Sequence, residues 1–147
     1  MVSAEHNYEL ESGWIREKIV SIEASGKPRL EIATPLDFWP DGPSDMLSPE
    51  ELFLASAVSC YGVTLHGVSK RFHTEFSDFK VRGEATLARG EKGWEFEQIS
   101  LYATIWIPDG AESKKMEKAA ERAHEYCLVA NSMKCPVHLH YDIVVRT

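Results

Sequence analysis

Positive charge is scarce in this 147-residue chain: 16 lysines and arginines face 23 aspartates and glutamates, a net charge of −7, and no basic stripe runs through it. Affinity for a phosphate backbone comes from counterions displaced by clustered basic side chains, so nucleic acid is excluded as the expected partner. A basic-then-apolar N-terminal segment with a small-residue cleavage site is also missing. The uncharged run from Leu52 to Leu65 is short against the roughly 30 Å of hydrocarbon that a membrane helix must cross. The expected setting is therefore the cytoplasm, with no membrane partner. Cysteine is sparse and odd in number, three in all, which is no secreted disulfide framework. In a reducing compartment these are free thiols, ligands or redox groups. No internal repeat or low-complexity tract is present, and the length suits one domain over residues 1–147.

What is there is a change of period along the chain. Short β-like runs lie near His6 to Glu11, Glu17 to Glu23 and Arg29 to Thr34, with the turn signal Ser25-Gly26-Lys27-Pro28 between the last two. They predict a small antiparallel sheet. The stretch from Pro35 to Leu47 holds Pro35, Pro40, Pro43, Gly42 and the aromatic pair Phe38-Trp39, so it is neither helix nor central strand. At Ser48 a helix is signalled by an N-cap serine, Pro49 at the first helical position and Glu51 closing a capping box. Glu50 is left without a capping duty.

Beyond that helix, Phe79, Val81, Ala85 and Leu87 alternate with polar residues as a half-buried strand does. Gly90-Glu91-Lys92-Gly93 turns the chain into a return strand from about Phe96 to Ile107. A second helix is predicted from about Glu112 to Met133, with Met116, Ala119, Ala120, Ala123, Cys127 and Ala130 on its buried stripe. Alternation from Val137 to Val145 closes the chain with a strand. The fold class is α+β.

Two of the three thiols, Cys60 and Cys127, thus fall on the inward faces of the two helices. A single such cysteine is usually a small core hydrophobe. Two on helices sharing one core allow a disulfide if the helices pack face to face. Redox chemistry needs a thiolate, and Cys60 lies too deep in its helix to be ionised by the helix N-terminus. Burial alone raises its pKa, so a cation is required, and Arg16 and Arg29 are the candidates from the strands. Glu50 is free to orient the one that serves. Ten residues of helix separate Glu50 from Cys60 by about 15 Å, so the two meet only if a second copy of the helix packs antiparallel. The helix is apolar all round, and Ala55, Ser56, Ala57, Ser59 and Gly62 permit close approach. A homodimer with its sites at the subunit boundary is the expectation.

The segment "SPEELFLASAVSCYGVTL", residues 48 to 65, closely resembles the signature of the OsmC/Ohr family of hydroperoxide-reducing proteins, in which a Pro-Glu pair opens the central helix and the reactive cysteine follows ten residues after the glutamate. "CLVANSMK" is similar to the family's second-cysteine motif, with Leu128 where proline is usual and Ala130 where serine is frequent. The resemblance implies an intertwined α+β homodimer and a cysteine-based peroxidase. Cys60 would be the peroxidatic thiol, Cys127 the resolving thiol, and Arg16 the cation, tied in place by Glu50. It implies organic hydroperoxides as substrates, a dithiol or lipoylated protein as reductant, and no bound cofactor. Phe38 and Trp39 are candidates for an apolar wall around an alkyl tail.

Two other readings stand beside it. Cys135, His138 and His140 in "CPVHLH" raise a metal site, but on a regular strand the two histidines share one face while Cys135 points to the other. A domain that keeps the fold as a binding or scaffold module is the second. His124, one turn before Cys127, is a candidate proton relay, and Cys135 a buried residue at the start of the last strand.

Overall fold

The computed structural model of the chain describes residues 4–146. They fall into two compact units, one reaching to Leu52 and the other starting at Phe53.

In the first unit, β1 (Glu11–Arg16), β2 (Ile19–Glu23) and β3 (Leu30–Ala33) form an antiparallel sheet in that order. The first strand starts where the predicted one ends. Its place is set by pairing, with Glu11 opposite Glu23 and Trp14 opposite Val20, and a two-residue turn at Glu17 and Lys18 makes that register possible. Glu17 takes the left-handed conformation there, at φ 47°, and its carbonyl accepts a 2.9 Å bond from Trp14 Nε1. The predicted turn at Ser25 to Pro28 is present, with Gly26 at φ 76°. After β3 the loop folds through bonds from the Phe38 and Trp39 amides to the Pro35 carbonyl, at 2.9 and 3.0 Å. It returns at Leu47, whose carbonyl accepts from the Ala33 amide at 3.0 Å.

Helix α1 (Pro49–Arg71) begins as its sequence requires. Ser48 Oγ accepts from the Glu51 amide at 3.1 Å, and Glu51 Oε1 accepts from the Ser48 amide at 3.0 Å, which satisfies two of the donors a helix start leaves open. At the far end Thr74 N–H bonds to the Ser69 carbonyl and His73 N–H to the Lys70 carbonyl. This is the paired closure that needs one left-handed residue, supplied by His73 at φ 53°. The helix runs past the uncharged stretch to 23 residues, and an 18-residue window in it has a mean hydropathy of 1.4. By length and composition alone that would suffice for a membrane span, a test that the core helix of a water-soluble domain also passes. A third of that window is nevertheless buried inside the protein.

The second unit supplies the burial. Strands β4 (Asp78–Gly90) and β5 (Gly93–Ile107) pair antiparallel, and β6 (Val137–Val145) joins β5 in parallel. A parallel neighbour needs a crossover, made here by a short 3-10 turn (Gly110–Glu112), α2 (Ser113–Tyr126) and α3 (Leu128–Ser132). Ile99, Leu101, Ala103, Ile105 and Ile107 form one buried core with Met116, Ala119, Ala120 and Ala123 of α2 and Tyr61, Leu65 and Val68 of α1. Gly83 lets α1 lie close to the sheet: a Cβ there would come within 2.5 Å of Val58 Cγ2.

The predicted single helix over residues 112–133 is two helices. Cys127 leaves the helical conformation, at φ −66° and ψ 100°, ending α2 and capping α3. Asn131 Nδ2 donates to the Glu125 carbonyl that the break releases, at 2.9 Å.

Candidate active site

Cys60 lies midway along α1 and is half-buried, whereas Cys127, at the α2–α3 break, is fully buried. Both are free thiols, and they are near enough for each to influence the other's acidity. The break explains the meeting. It leaves the first amides of α3, those of Leu128 and Val129, near enough to Cys60 to favour its anion. The first amides of a helix have no partner within it, which makes them donors to spare.

Burial opposes ionisation of Cys60, but bonds from Val129, Cys127, Thr64 and Leu128 outweigh it and hold the thiol below its usual range. Burial pushes Cys127 the other way; the amides of Ala130 and Val129 work against this, but its neighbour Cys60 adds to the rise. One thiol of the pair is thus disposed to ionise and the other to keep its proton. The required cation is not what lowers Cys60 in this unit: the donors that reach it are neutral. At the position of Leu128 the motif usually has proline, a residue without an N–H. Leucine there adds a donor.

Thr64 Oγ1 lies 3.9 Å from Cys60 Sγ, one helical turn on and on the same face. Sequence reasoning missed this residue, although the i, i+4 spacing was available as a signal. Threonine 64 replaced by valine is expected to slow iodoacetamide alkylation of Cys60 near neutral pH about two- to tenfold, the worth of one such bond. The sign follows from ionisation: a weaker acid stays protonated to higher pH, so the pH–rate curve moves up. Thr64→Ser should restore it. An unchanged curve in the valine variant would remove Thr64 from the site.

Arg16 is exposed at the end of β1 and pairs with Glu17 at 3.9 Å, not with Glu50. Glu50, in the first turn of α1, has a buried Oε1 without a hydrogen-bond partner among the described residues. Phe38 is 39% exposed, and the Trp39 ring folds over Gly42, where a Cβ would come within 2.7 Å of it. His124 is half-buried; burial, followed by nearby His138, holds its imidazole below the usual pKa. Its carbonyl accepts the Cys127 amide at 3.4 Å. Cys135 is buried in the core ahead of β6. Among the described residues no three His, Cys, Asp or Glu side chains are grouped to hold a metal ion.

The family model described as OsmC-like protein matches residues 42–142, which takes in Glu50, both thiols of the pair and every element of the second unit except the last three residues of β6. The chain belongs to the OsmC-like family. An uncharacterized protein of Bacillus subtilis (strain 168), YmaD, is 23% identical to this OsmC-like chain over 148 residues, covering 97% of each. The organic hydroperoxide resistance protein OhrB of the same organism is 25% identical over 96 residues, covering 65% of this chain and 68% of its own. Among solved structures, an OsmC-like protein of unknown function from Vibrio cholerae superposes with a TM-score of 0.85 at 17% identity, over 94% of this chain and all of that one. The structure of B. subtilis OhrB gives 0.67 at 21% identity, over 92% and 98%. At such identities the likeness is one of fold, and it confirms the α+β architecture with two sheets and three helices.

Proposed function

We propose that this OsmC-like protein is a cytoplasmic thiol peroxidase that reduces organic hydroperoxides. The observation that carries the reading is the adjoining pair Cys60 and Cys127, one thiol favoured as an anion and the other held protonated. The Cys60 thiolate attacks the terminal peroxide oxygen, the O–O bond breaks, and the departing alkoxide takes a proton to become an alcohol. Cys60 is left as a sulfenic acid. Cys127 attacks that sulfur, the disulfide forms, and hydroxide leaves with the Cys127 proton as water. A dithiol, such as a lipoyl group carried on a protein, returns two electrons by exchange. No bound cofactor enters the cycle.

The reading includes a homodimer. In one chain the α1 face of Ala55, Ser59 and Val63 is exposed, Val63 at 71%. A second copy packed antiparallel on that face would bring its Glu50 beside Cys60 together with Arg16, and give the orphaned Glu50 oxygen a partner. An unpaired buried carboxylate oxygen costs about 1–3 kcal/mol or more, which favours such an arrangement. Phe38 and Trp39 would then wall the space for an alkyl tail. A monomeric mass in solution at micromolar concentration would remove the dimer.

Titration of the reduced protein with cumene hydroperoxide tests the chemistry. Two of the three thiols should be lost per chain, with peptide mapping placing the disulfide at Cys60 and Cys127. Slow loss, or loss led by Cys135, would instead make the domain a binding or scaffold module.

A further inference from the structure

The closure of α1 leaves one polar group unserved. The Thr74 amide bonds to the Ser69 carbonyl at 3.0 Å, so its backbone is settled, but the residue is only 3% exposed and its Oγ1 has no hydrogen-bond partner among the described residues. A buried hydroxyl without a partner is costly, and folded proteins seldom keep one. Thr74 lies in the wall of a hollow of about 430 Å³, a volume in the range of small-molecule sites. Lys70, His73 and Glu75 line it from the end of α1, and Asp109 and Glu112 from the 3-10 turn after β5. The Ser77 amide holds these two stretches together by donating to the Trp106 carbonyl at 2.7 Å. All of these residues belong to the second unit, and the hollow touches neither Cys60 nor Cys127.

The charges in the lining are three carboxylates against one ammonium. Lys70 and Glu75 make no ion pair with any described residue. Asp109 Oδ1 accepts from the Ala111 amide at 2.9 Å, which leaves its other oxygen, and Glu112 meets Lys115 only loosely, at 3.7 Å. The carboxylates do not converge as a metal ion requires, so they suit positive charges carried apart on an organic ligand. We propose that this hollow binds a basic α-amino acid, with Lys70 and the Thr74 hydroxyl holding its carboxylate and Glu75, Asp109 and Glu112 holding its two cationic groups. Such a ligand answers the charges of both signs in the lining, and its carboxylate gives the Thr74 hydroxyl an acceptor. The inference does not rest on the peroxidase reading.

The whole reduced protein, in whatever assembly it takes in solution, is titrated by calorimetry with L-arginine, with agmatine, which lacks the carboxylate, and with L-citrulline, which lacks the side-chain charge. Arginine should bind, and each analogue should bind about tenfold or more weakly, as loss of a charge-assisted pair does. Lys70→Gln should weaken arginine by a similar factor and leave agmatine unchanged, whereas Glu75→Gln should weaken both. Thr74→Val keeps the shape of the side chain and removes the hydroxyl. Denaturant unfolding of the ligand-free variant should move to a higher midpoint, because the orphaned group is gone, while its affinity for arginine falls. No heat with arginine, the result if a second copy closes the hollow, or equal affinity for arginine, agmatine and citrulline would overturn the inference. A lower midpoint in Thr74→Val would show a hydroxyl already served by water, and unchanged arginine affinity there would show an idle one; either result overturns it as well.

Discussion

Serine in place of Cys60 is expected to lower hydroperoxide turnover by roughly a thousandfold or more, and serine in place of Cys127 to leave one rapid turnover per chain. The first loss is that of the nucleophile: a hydroxyl does not ionise near neutrality, so the donors gathered at that point have no anion to stabilise. Those donors, the amides of Val129 and Leu128 with Thr64, are unchanged by the substitution. The second variant keeps the nucleophile and loses the thiol that closes the disulfide. Peroxide then meets a persistent sulfenic acid and drives it on to the sulfinic form, which thiols do not reverse. Rapid-mixing kinetics should show a burst of alcohol equal to the protein concentration, a slower second equivalent as the sulfinic acid forms, and then a stall. Steady turnover in the Cys127 variant with a monothiol donor is compatible with the scheme, because an external thiol can take the same role. Sustained turnover in the Cys60 variant is not, and it would move the chemistry to another residue.

Much of the frame was legible in the sequence because it depends on local chemistry. Ser48, Pro49 and Glu51 announce the start of α1 through bonds made within four residues, and the alternation in β5 reports burial on one side of a strand. The break at Cys127 was hidden for a physical reason. Met116, Ala119, Ala120, Ala123, Cys127 and Ala130 keep to one side of the chain whether or not the backbone turns between them. A buried stripe reports which side faces the core, not whether the helix is continuous. The parallel pairing of β6 was hidden likewise, since alternation is the same in either direction. The source of the Cys60 ionisation depended on the break: without it the amides of α3 would be spent inside a helix, and a cation was the only agent left to invoke. The first strand was misplaced because its register follows from a turn at Glu17 that carries no glycine.

Alanine in place of Tyr61 should destabilise the protein by about 3–5 kcal/mol, the cost of emptying a large, fully buried aromatic site. Tyr61 is wholly buried, next in sequence to Cys60, and its hydroxyl donates to the Ala120 carbonyl of α2 at 3.0 Å. Burial, followed by Tyr141 and Cys127, raises its pKa, so it is a neutral donor around neutral pH. It therefore ties the helix that carries Cys60 to the one that ends at Cys127. Phenylalanine keeps the packing and removes only that bond, leaving the carbonyl to its helical partner; a cost near 1 kcal/mol is expected in denaturant unfolding. The two variants should also separate in chemistry. Sulfenic acid formation at Cys60 depends on α2 only through the donors at the α2–α3 break, so its rate should fall less in Tyr61→Phe than that of the next step. Closure of the disulfide needs α1 and α2 in register, and it should slow in the same variant as sulfenic acid accumulates, measured by dimedone trapping against time. Equal effects on both steps would mean that Tyr61 supports the fold without positioning the thiols relative to each other.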